Sequence, residues 1–434
     1  MDAKQMRDCR NRLENFLKDL LQPLGRASRR HWGNVYVRGL LLDGERKSIE
    51  PMADRMPDGN VQAMQQLIGQ SPWDFKPVRR RLAERMAQEL IPACAWIVDD
   101  TGFPKKGDKS VGVARQYSGT LGKVANCQVA VSVHLATDEA SMPLNYQLYL
   151  PQEWTDNPER LKQAGVPAGT CFKTKWQVAL DLIDEARGWE LPAGVVVCDI
   201  AYGKVNEFRQ GLIDRQLRYL AEIESKTIVL ASPPISKPSR GRPKEAREQL
   251  KTISVKDLST SLPSWHWKTI RWREGTKKRL VSRFAAIRVD PAHGYRQKKQ
   301  LPPRQWLLIE WPLDQAVPCK FWFSNLPPQA GLRRLVHLAK LRWRVEQNYQ
   351  QQKEELGLDH FEGRGFLGWH HHVTLNMVAY GFLLLETLRG KKNFWIDHPD
   401  DSMVAPENPG NLDRKVPYMQ EKGFLLPIID NKLT

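Results

Sequence analysis

Two short apolar runs, each closing on aspartate, constrain the fold of this chain more than any other feature. Cys94–Thr101 reads CAWIVDDT, and a second run, VVVCD, closes with Asp199. Runs that are apolar throughout, without alternation, predict strands buried at the centre of a sheet. Asp100 and Asp199 then fall at the carboxyl ends of strands, where open α/β sheets place ligand chemistry. Aspartate at such a position also caps helices and turns, so each acid alone fits a structural role equally well. Alternation sends Asp99 to the face opposite Asp100, which suits capping or support.

The sequence around these runs predicts an α/β layer. Gly-rich FPKKGDKSVGVARQYSGTLG follows the first run, and then two alternating segments, Val124–His134 and Pro143–Leu150, read as antiparallel neighbours. A helix over Lys173–Arg187 leads through Pro192 and Gly194 into VVVCD. A further helix, Val205–Arg215, precedes a strand at Leu217–Ile223. The order is strand, strand, strand, helix, strand, helix, strand. Upstream, residues 1–88 read as helices, among them Asp8–Leu21 and Pro51–Ile68, with Asp58 as a cap. Basic clusters at Arg26, Arg29, Arg30 and His31, and again at Arg79, Arg80 and Arg81, fit a grip on duplex DNA or plain solvated arginines.

After Ser225 the alternation of helix and strand stops. Lys237–Lys251 carries six cations against two acids and reads as an exposed charged loop. Within it Arg240, Gly241, Arg242 and Pro243 have the R-G-R-P shape that slips into narrow A·T minor grooves, although a charged linker has the same composition. Trp265–Arg304 holds twelve cations, Lys277, Lys278 and Arg279 among them, against two acids. Its β-rich runs predict an antiparallel insertion with a basic face. Trp265, Trp267, Trp272, Trp306, Trp311 and Trp322 lie in this insertion, as sheet packing or as platforms for an unpaired base.

Helices return at Gln329. LRWRVEQNYQQQKEELGL, Leu341–Leu358, is read as one helix with Gly357 as its C-terminal cap. Helical spacing brings Arg342, Glu346, Tyr349, Gln350 and Lys353 to one side. A carboxylate between an arginine and a lysine can bind a metal ion while the cations hold phosphates; a solvated face laced with i, i+4 pairs looks the same. Gly368–Leu388 is a further apolar helix that opens on His370, His371 and His372. Consecutive helical positions diverge, so these three do not close one coordination shell. From 391 to 434 the composition, rich in Pro, Asp, Asn and Lys, reads as a tail.

The chain carries 66 basic and 49 acidic residues, a formal charge of +17, which points to a polyanion, most commonly nucleic acid. A membrane partner is disfavoured: no apolar run of spanning length occurs, and the first twenty residues are charged throughout. The six cysteines form no C-x-x-C pair, which suits a reducing cytoplasm and neither a zinc finger nor a disulfide framework. Asp100, Asp199 and Glu346, converging without His or Cys, would make a hard oxygen site for Mg²⁺ or Mn²⁺. Two such ions about 3.5–4 Å apart serve phosphodiester chemistry by activating the attacking oxygen and stabilising the leaving one.

These residues give the chain a family likeness. It resembles the DDE transposases of bacterial insertion sequences, in the cut-and-paste branch with a β insertion before the last acid. The resemblance runs through GLLLDGERKSIEPMA at Gly39–Ala53, VDDTGFPKKG at Val98–Gly107 and VARQYSGTLGKVANCQVAVS at Val113–Ser132. It continues in VVCDIAYG at Val196–Gly203 and LRWRVEQNYQQQKEELGLDHFEGR at Leu341–Arg364. The branch's final helix bears Tyr-x2-Arg-x3-Glu-x6-Lys, matched at Arg342, Glu346 and Lys353, with Ala339 where the tyrosine is expected. That departure bears on the tyrosine's phosphate contact and leaves the metal ligands untouched.

The resemblance implies an RNase H-like catalytic core at 89–225 and 329–390, interrupted by a basic β-rich insertion domain at 226–328. A helical DNA-binding region at 1–88 precedes it and a C-terminal tail at 391–434 follows. It also implies that Asp100, Asp199 and Glu346 hold the metal ions, while Arg342 and Lys353 hold DNA near the scissile phosphate. Arg240, Arg242, Lys277, Lys278 and Arg279 are further candidates for DNA contact. The implied activity is recognition of terminal inverted repeats, cleavage with two Mg²⁺ or Mn²⁺ ions and joining of the 3′-hydroxyls to target DNA. A homodimer at the paired ends and a cytoplasmic, nucleoid-associated setting go with it. Two alternatives remain: an element-derived DNA-binding or regulatory protein without catalysis, and a carboxylate-pair hydrolase acting on sugars.

Overall fold

Strand β1 (Ala95–Pro104) is flanked by an antiparallel partner on one side and a parallel one on the other, and this pairing fixes the layout of the site. The computed structural model describes residues 2–119, 121–231, 251–274, 279–293 and 303–397. Arg240, Arg242, Lys277, Lys278, the side chain of Arg279 and the expected tail from 398 onward lie outside the described residues.

Among the described residues the sheet has ten strands. Beside β1 stand β2 (Ala114–Ser118), β3 (Lys123–Ala136), β4 (Ser141–Leu148), β5 (Val195–Cys198) and β6 (Tyr219–Ile223). Antiparallel β3 pairs with β1 from Ala95↔Ala136 to Pro104↔Cys127, and both β2 and β4 pair with β3. On the other side β5 runs parallel to β1, Ala95↔Val195 to Val98↔Cys198, and β6 runs parallel to β5. Ala95, Trp96, Ile97 and Val98 are fully buried, as the unbroken apolar run requires.

A two-stranded ribbon, β7 (Ile228–Leu230) with β8 (Thr252–Ser254), follows β6. The strands β9 (Lys268–Glu274), β10 (Arg279–Val289), β11 (Gln305–Pro312) and β12 (Lys320–Ser324) then form an antiparallel set whose last member pairs with β6, Phe321↔Ile223 to Ser324↔Leu220. The main sheet therefore continues without a break into the basic β-rich stretch, in the order β2-β3-β1-β5-β6-β12-β11-β10-β9. Four tryptophans of that stretch pack on cations or on one another: Trp267 on Trp311, Arg283 over Trp311, Arg288 over Trp306 and Lys340 over Trp272. Trp322 is buried, whereas Trp265 is 71% exposed.

The helices upstream of β1 are α1 (Ala3–Leu20), α2 (Ala27–Leu41), α3 (Ile49–Asp54), α4 (Val61–Gly69) and α5 (Phe75–Glu89). Short α6 (Gln152–Thr155) and α7 (Pro158–Gln163) precede α8 (Lys175–Gly188), α9 (Ile200–Gly203), α10 (Asn206–Asp214) and α11 (Val255–Thr260). The chain then passes through α12 (Leu332–Leu341), α13 (Trp343–Glu354) and α14 (Phe366–Asp397). From Trp369 to Phe382 nearly every side of α14 is buried, with β4 among the elements packed on it. Helices α1, α2, α4 and α5 also pack on it, so residues upstream of β1 share one apolar core with the sheet.

Three sequence expectations change. The helix expected over Pro51–Ile68 is two helices, because Pro57, Asp58 and Gly59 interrupt it; Asn60, not Asp58, caps the second by accepting from Ala63 N. The helix expected from Leu341 begins at Trp343, with Arg342 at the junction between α12 and α13. Arg79 is 1% exposed and takes no part in a basic surface. It donates to Thr374 Oγ1, Asn145 Oδ1 and the Tyr146 carbonyl, and its guanidinium lies 3.1 Å from His370 Nδ1.

His370, His371 and His372 are buried, with their rings directed to different partners: Phe75, Trp73 and Phe361 respectively. Among the described residues, no helix is long and apolar enough to cross a membrane.

Candidate active site

The pairing of Val98 with Cys198 sets the following residues, Asp99 and Asp199, level where β5 ends; β1 continues to Pro104, paired with β3, so Asp100 stands within its strand and not at the carboxyl end that the apolar run suggested. Asp199 leaves the strand and caps α9: Oδ1 accepts from Ala201 N at 3.0 Å and Tyr202 N at 3.4 Å. The cap occupies one of its two oxygens, so the structural and chemical roles read from sequence coexist in one residue. Asp100 Oδ2 accepts from Lys175 Nζ at 3.1 Å and from the Tyr202 hydroxyl at 3.3 Å. Lys175 stands at the first turn of α8, and Tyr202 on α9 is buried.

Asp99 turns the other way, as alternation requires, and is 8% exposed. Its Oδ1 accepts from Asp100 N at 2.8 Å, and its Oδ2 lies 2.9 Å from Arg342 Nη1. The other terminal nitrogen of Arg342 donates to Glu346 Oε1. Arg342 thus links the acid on α13 to the strand that carries Asp100. Tyr349, one turn after Glu346, reaches Ser132 Oγ on β3 at 2.5 Å.

The electrostatics of the group follow from crowding acids in a half-dry place. Burial pushes Asp99 up to about 7; the charge of Arg342 opposes this, and Asp199 and Asp100 add to it. Asp199 is raised for the same reasons, burial first and Asp100 among them, with Arg342 again opposing. For Arg342, burial disfavours the charge, but Asp99, Glu346, Asp199 and Glu222 outweigh it and hold the guanidinium firmly protonated. A bound cation would relieve the repulsion among the aspartates, and an all-oxygen donor set suits a hard divalent ion.

The structure brings Asp100 and Asp199 into electrostatic contact and joins Glu346, whose side chain is 59% exposed, through Arg342 to Asp99, the neighbour of Asp100. It does not bring the three carboxylates into one tight shell. Among the described residues the one cluster of three potential ligands with donor atoms within 4.8 Å is Cys94, Asp138 and His337, which lies elsewhere. Lys353 is turned inward: Nζ donates to Gly102 O at 2.8 Å and lies over the Phe103 ring, and burial lowers its pKa to about 8. Sequence reasoning missed Lys175 and Tyr202. Tyr202 stands three residues after Asp199 inside VVCDIAYG, a spacing that marks the first turn of a capped helix; nothing in the sequence ties Lys175 to Asp100.

A family profile described as DDE superfamily endonuclease matches residues 19–279, more than half of the chain. The chain belongs to the DDE superfamily of endonucleases. The match takes in Asp100 and Asp199 and ends before Glu346. A protein of Microchaete diplosiphon, described as a probable transposase for insertion sequence element IS701, is 25% identical to this DDE endonuclease over 331 residues, 74% of each chain. Endonucleases of this superfamily typically use divalent metal ions, and the large mixed sheet with helices fits that membership.

Proposed function

We propose that this DDE endonuclease is the transposase of an insertion sequence, binding the element's terminal inverted repeats, cutting there and joining the freed 3′-hydroxyls to target DNA. The observation that carries the proposal is the parallel pairing of β1 with β5, which sets Asp100, midway along β1, beside Asp199 at the end of β5, while Arg342 bonds both Glu346 and Asp99, the neighbour of Asp100. The strand order β4-β3-β1-β5-β6, with β5 and β6 parallel to β1, supports an RNase H-like core, and β9–β12 supply the inserted strands. The likeness to the probable IS701 transposase supports DNA as the substrate.

Asp100, Asp199 and Glu346 would hold two Mg²⁺ or Mn²⁺ ions, which supply activation of the attacking oxygen and stabilisation of the leaving one. Asp199 has one oxygen anchored by the first turn of α9, which fixes the direction of the other. Tyr202 orients Asp100 by donating to Oδ2. Arg342, held by Asp99, would keep Glu346 on α13 turned towards β1. Lys175 and Lys353 stand ready to contact phosphates once DNA competes for their present partners. The N-terminal helices and the basic strands would contribute DNA contacts, together with Arg240, Arg242, Lys277, Lys278 and Arg279. A homodimer acting at the nucleoid would pair the two ends.

The test is a plasmid carrying two matched element ends, incubated with Mg²⁺ and wild-type or Asp199→Ala protein. Wild type should release the element and the variant should not, while both retard end DNA in a salt-dependent manner. Equal release by both would remove the catalytic assignment and leave a DNA-binding protein.

A further inference from the structure

Three side chains with metal-binding chemistry meet at the opposite end of β1 from Asp100. Cys94 immediately precedes β1, Asp138 sits in the β3–β4 turn and His337 lies on α12. His337 Nε2 is 2.8 Å from Asp138 Oδ1, and Cys94 Sγ is 3.7 Å from the same oxygen. The donor atoms all lie within 4.8 Å of one another. Three ligands on one tetrahedral ion at about 2.0–2.3 Å stand roughly 3–4 Å apart, so the trio needs only small shifts to close on an ion.

We propose that Cys94, Asp138 and His337 form a zinc site, with a fourth position open to solvent. Sulfur, imidazole nitrogen and a single carboxylate are the donors of a borderline ion such as Zn²⁺, not of Mg²⁺ or Mn²⁺. The backbone is already fixed: Cys94 N donates to Ala136 O at 2.9 Å, and the Thr137 hydroxyl accepts from Glu139 N and Ala140 N in the turn that presents Asp138. The Asp138 side chain is 57% exposed, which gives an ion a path from solvent to the buried sulfur. Six residues of extended chain, about 20 Å, separate Cys94 from Asp100, so the site is distinct from the candidate active site.

The position of the site gives it a purpose. The ion would clamp three segments, the entry to β1, the β3–β4 turn and α12, and α12 runs directly into Arg342 and the helix bearing Glu346. The zinc site would be a staple on the helix that delivers the last acid. It stands on its own geometry and does not require the proposed reaction.

The experiment is a Co²⁺ titration of tag-free, chelator-stripped protein, followed by absorption spectroscopy. The expected result is a sulfur-to-cobalt charge-transfer band saturating at one ion per chain and displaced by Zn²⁺. The band should vanish in Cys94→Ser and His337→Ala and persist in Asp199→Ala. Asp138→Asn keeps the shape of the site and guards against misfolding of the other variants. It should weaken Co²⁺ binding at least about tenfold, the scale seen when even a supporting partner of a ligand is lost. No band in the wild type, a band unchanged by Cys94→Ser, as exposed Cys171 or Cys319 would give, or unchanged affinity in Asp138→Asn would each overturn the assignment.

Discussion

The Arg342 guanidinium donates to the Asp99 carboxylate at 2.9 Å, joining the α12–α13 junction to β1 across 243 residues of sequence. The pair is more than an anchor. Asp99 is pushed up to about 7 by burial, against the charge of Arg342, and Arg342 also holds Glu346. Removing the arginine should strand a buried carboxylate beside two others. Arg342→Gln is expected to cost about 2–3 kcal/mol, reduced from the fully buried case because the arginine is partly exposed. In urea unfolding, the double variant Asp99→Asn/Arg342→Gln should lose clearly less than the sum of the two single variants. Strict additivity would show that the pair carries no coupling.

Lys175 Nζ occupies the Asp100 carboxylate at 3.1 Å, on the side where an ion would bind. Any cation arriving at Asp100 must displace the ammonium. Lys175→Met should therefore tighten Ca²⁺ binding, measured calorimetrically without DNA, severalfold. Unchanged affinity would place the ion away from Asp100.

Arg79 illustrates how charge in a sequence can mislead. Its place in the run Arg79–Arg81 looks like surface, but it is the buried hub that joins α5, β4 and α14, while Arg80 and Arg81 pair with Glu84 and Asp19. Arg79→Leu takes one of two donors from Asn145 Oδ1, which keeps Tyr146 N, and removes the guanidinium from the Tyr146 carbonyl and Thr374 Oγ1; it should cost about 3 kcal/mol by thermal unfolding. Arg80→Ala, on the exposed side of the same helix, should leave the thermal midpoint nearly unchanged.

The buried histidines make stability depend on pH. Burial lowers His134 to about 3 and His371 and His372 to about 4, and lowers His370 as well, so the folded chain keeps them neutral. In the unfolded chain they take up protons near pH 6.5. The histidine contribution to stability is therefore full above pH 6.5 and falls as pH drops towards 4, by on the order of 1 kcal/mol per histidine per pH unit; the four rings outweigh Asp99, whose raised carboxyl works in the opposite sense over the same range. Urea midpoints at pH 7.5, 6 and 5 check this, and a flat profile would contradict it.

What the sequence reveals of the site is what depends on local pattern. The runs CAWIV and VVVC are legible as central strands because burial on both faces leaves no polar residue in them; that β1 continues past Asp99 and Asp100 to Pro104 is set by its pairing with β3 and is not legible in the run itself. The helix break at Pro57, Asp58 and Gly59 is legible in those turn residues, which the expected helix overran; the one at Arg342 is less so, since residues good for a helix stand on both sides of it. Contacts between distant segments leave no local pattern. Lys175 on Asp100 and His337 on Asp138 join residues 75 and 199 positions apart, and only the folded sheet brings them together. The link from Arg342 to Glu346 could be read from helical spacing; the grip of Arg342 on Asp99 could not.

Glu346 is the decisive residue, because the family match ends before it and its link to β1 runs through Arg342 to Asp99, not to Asp100 or Asp199. The measurement is single-turnover cleavage of pre-bound element-end DNA in Mg²⁺ by wild type and Glu346→Gln. The account predicts that the variant binds the DNA as tightly as wild type and cleaves it at least roughly 10²–10³-fold more slowly. Cleavage by Glu346→Gln at the wild-type rate would contradict it.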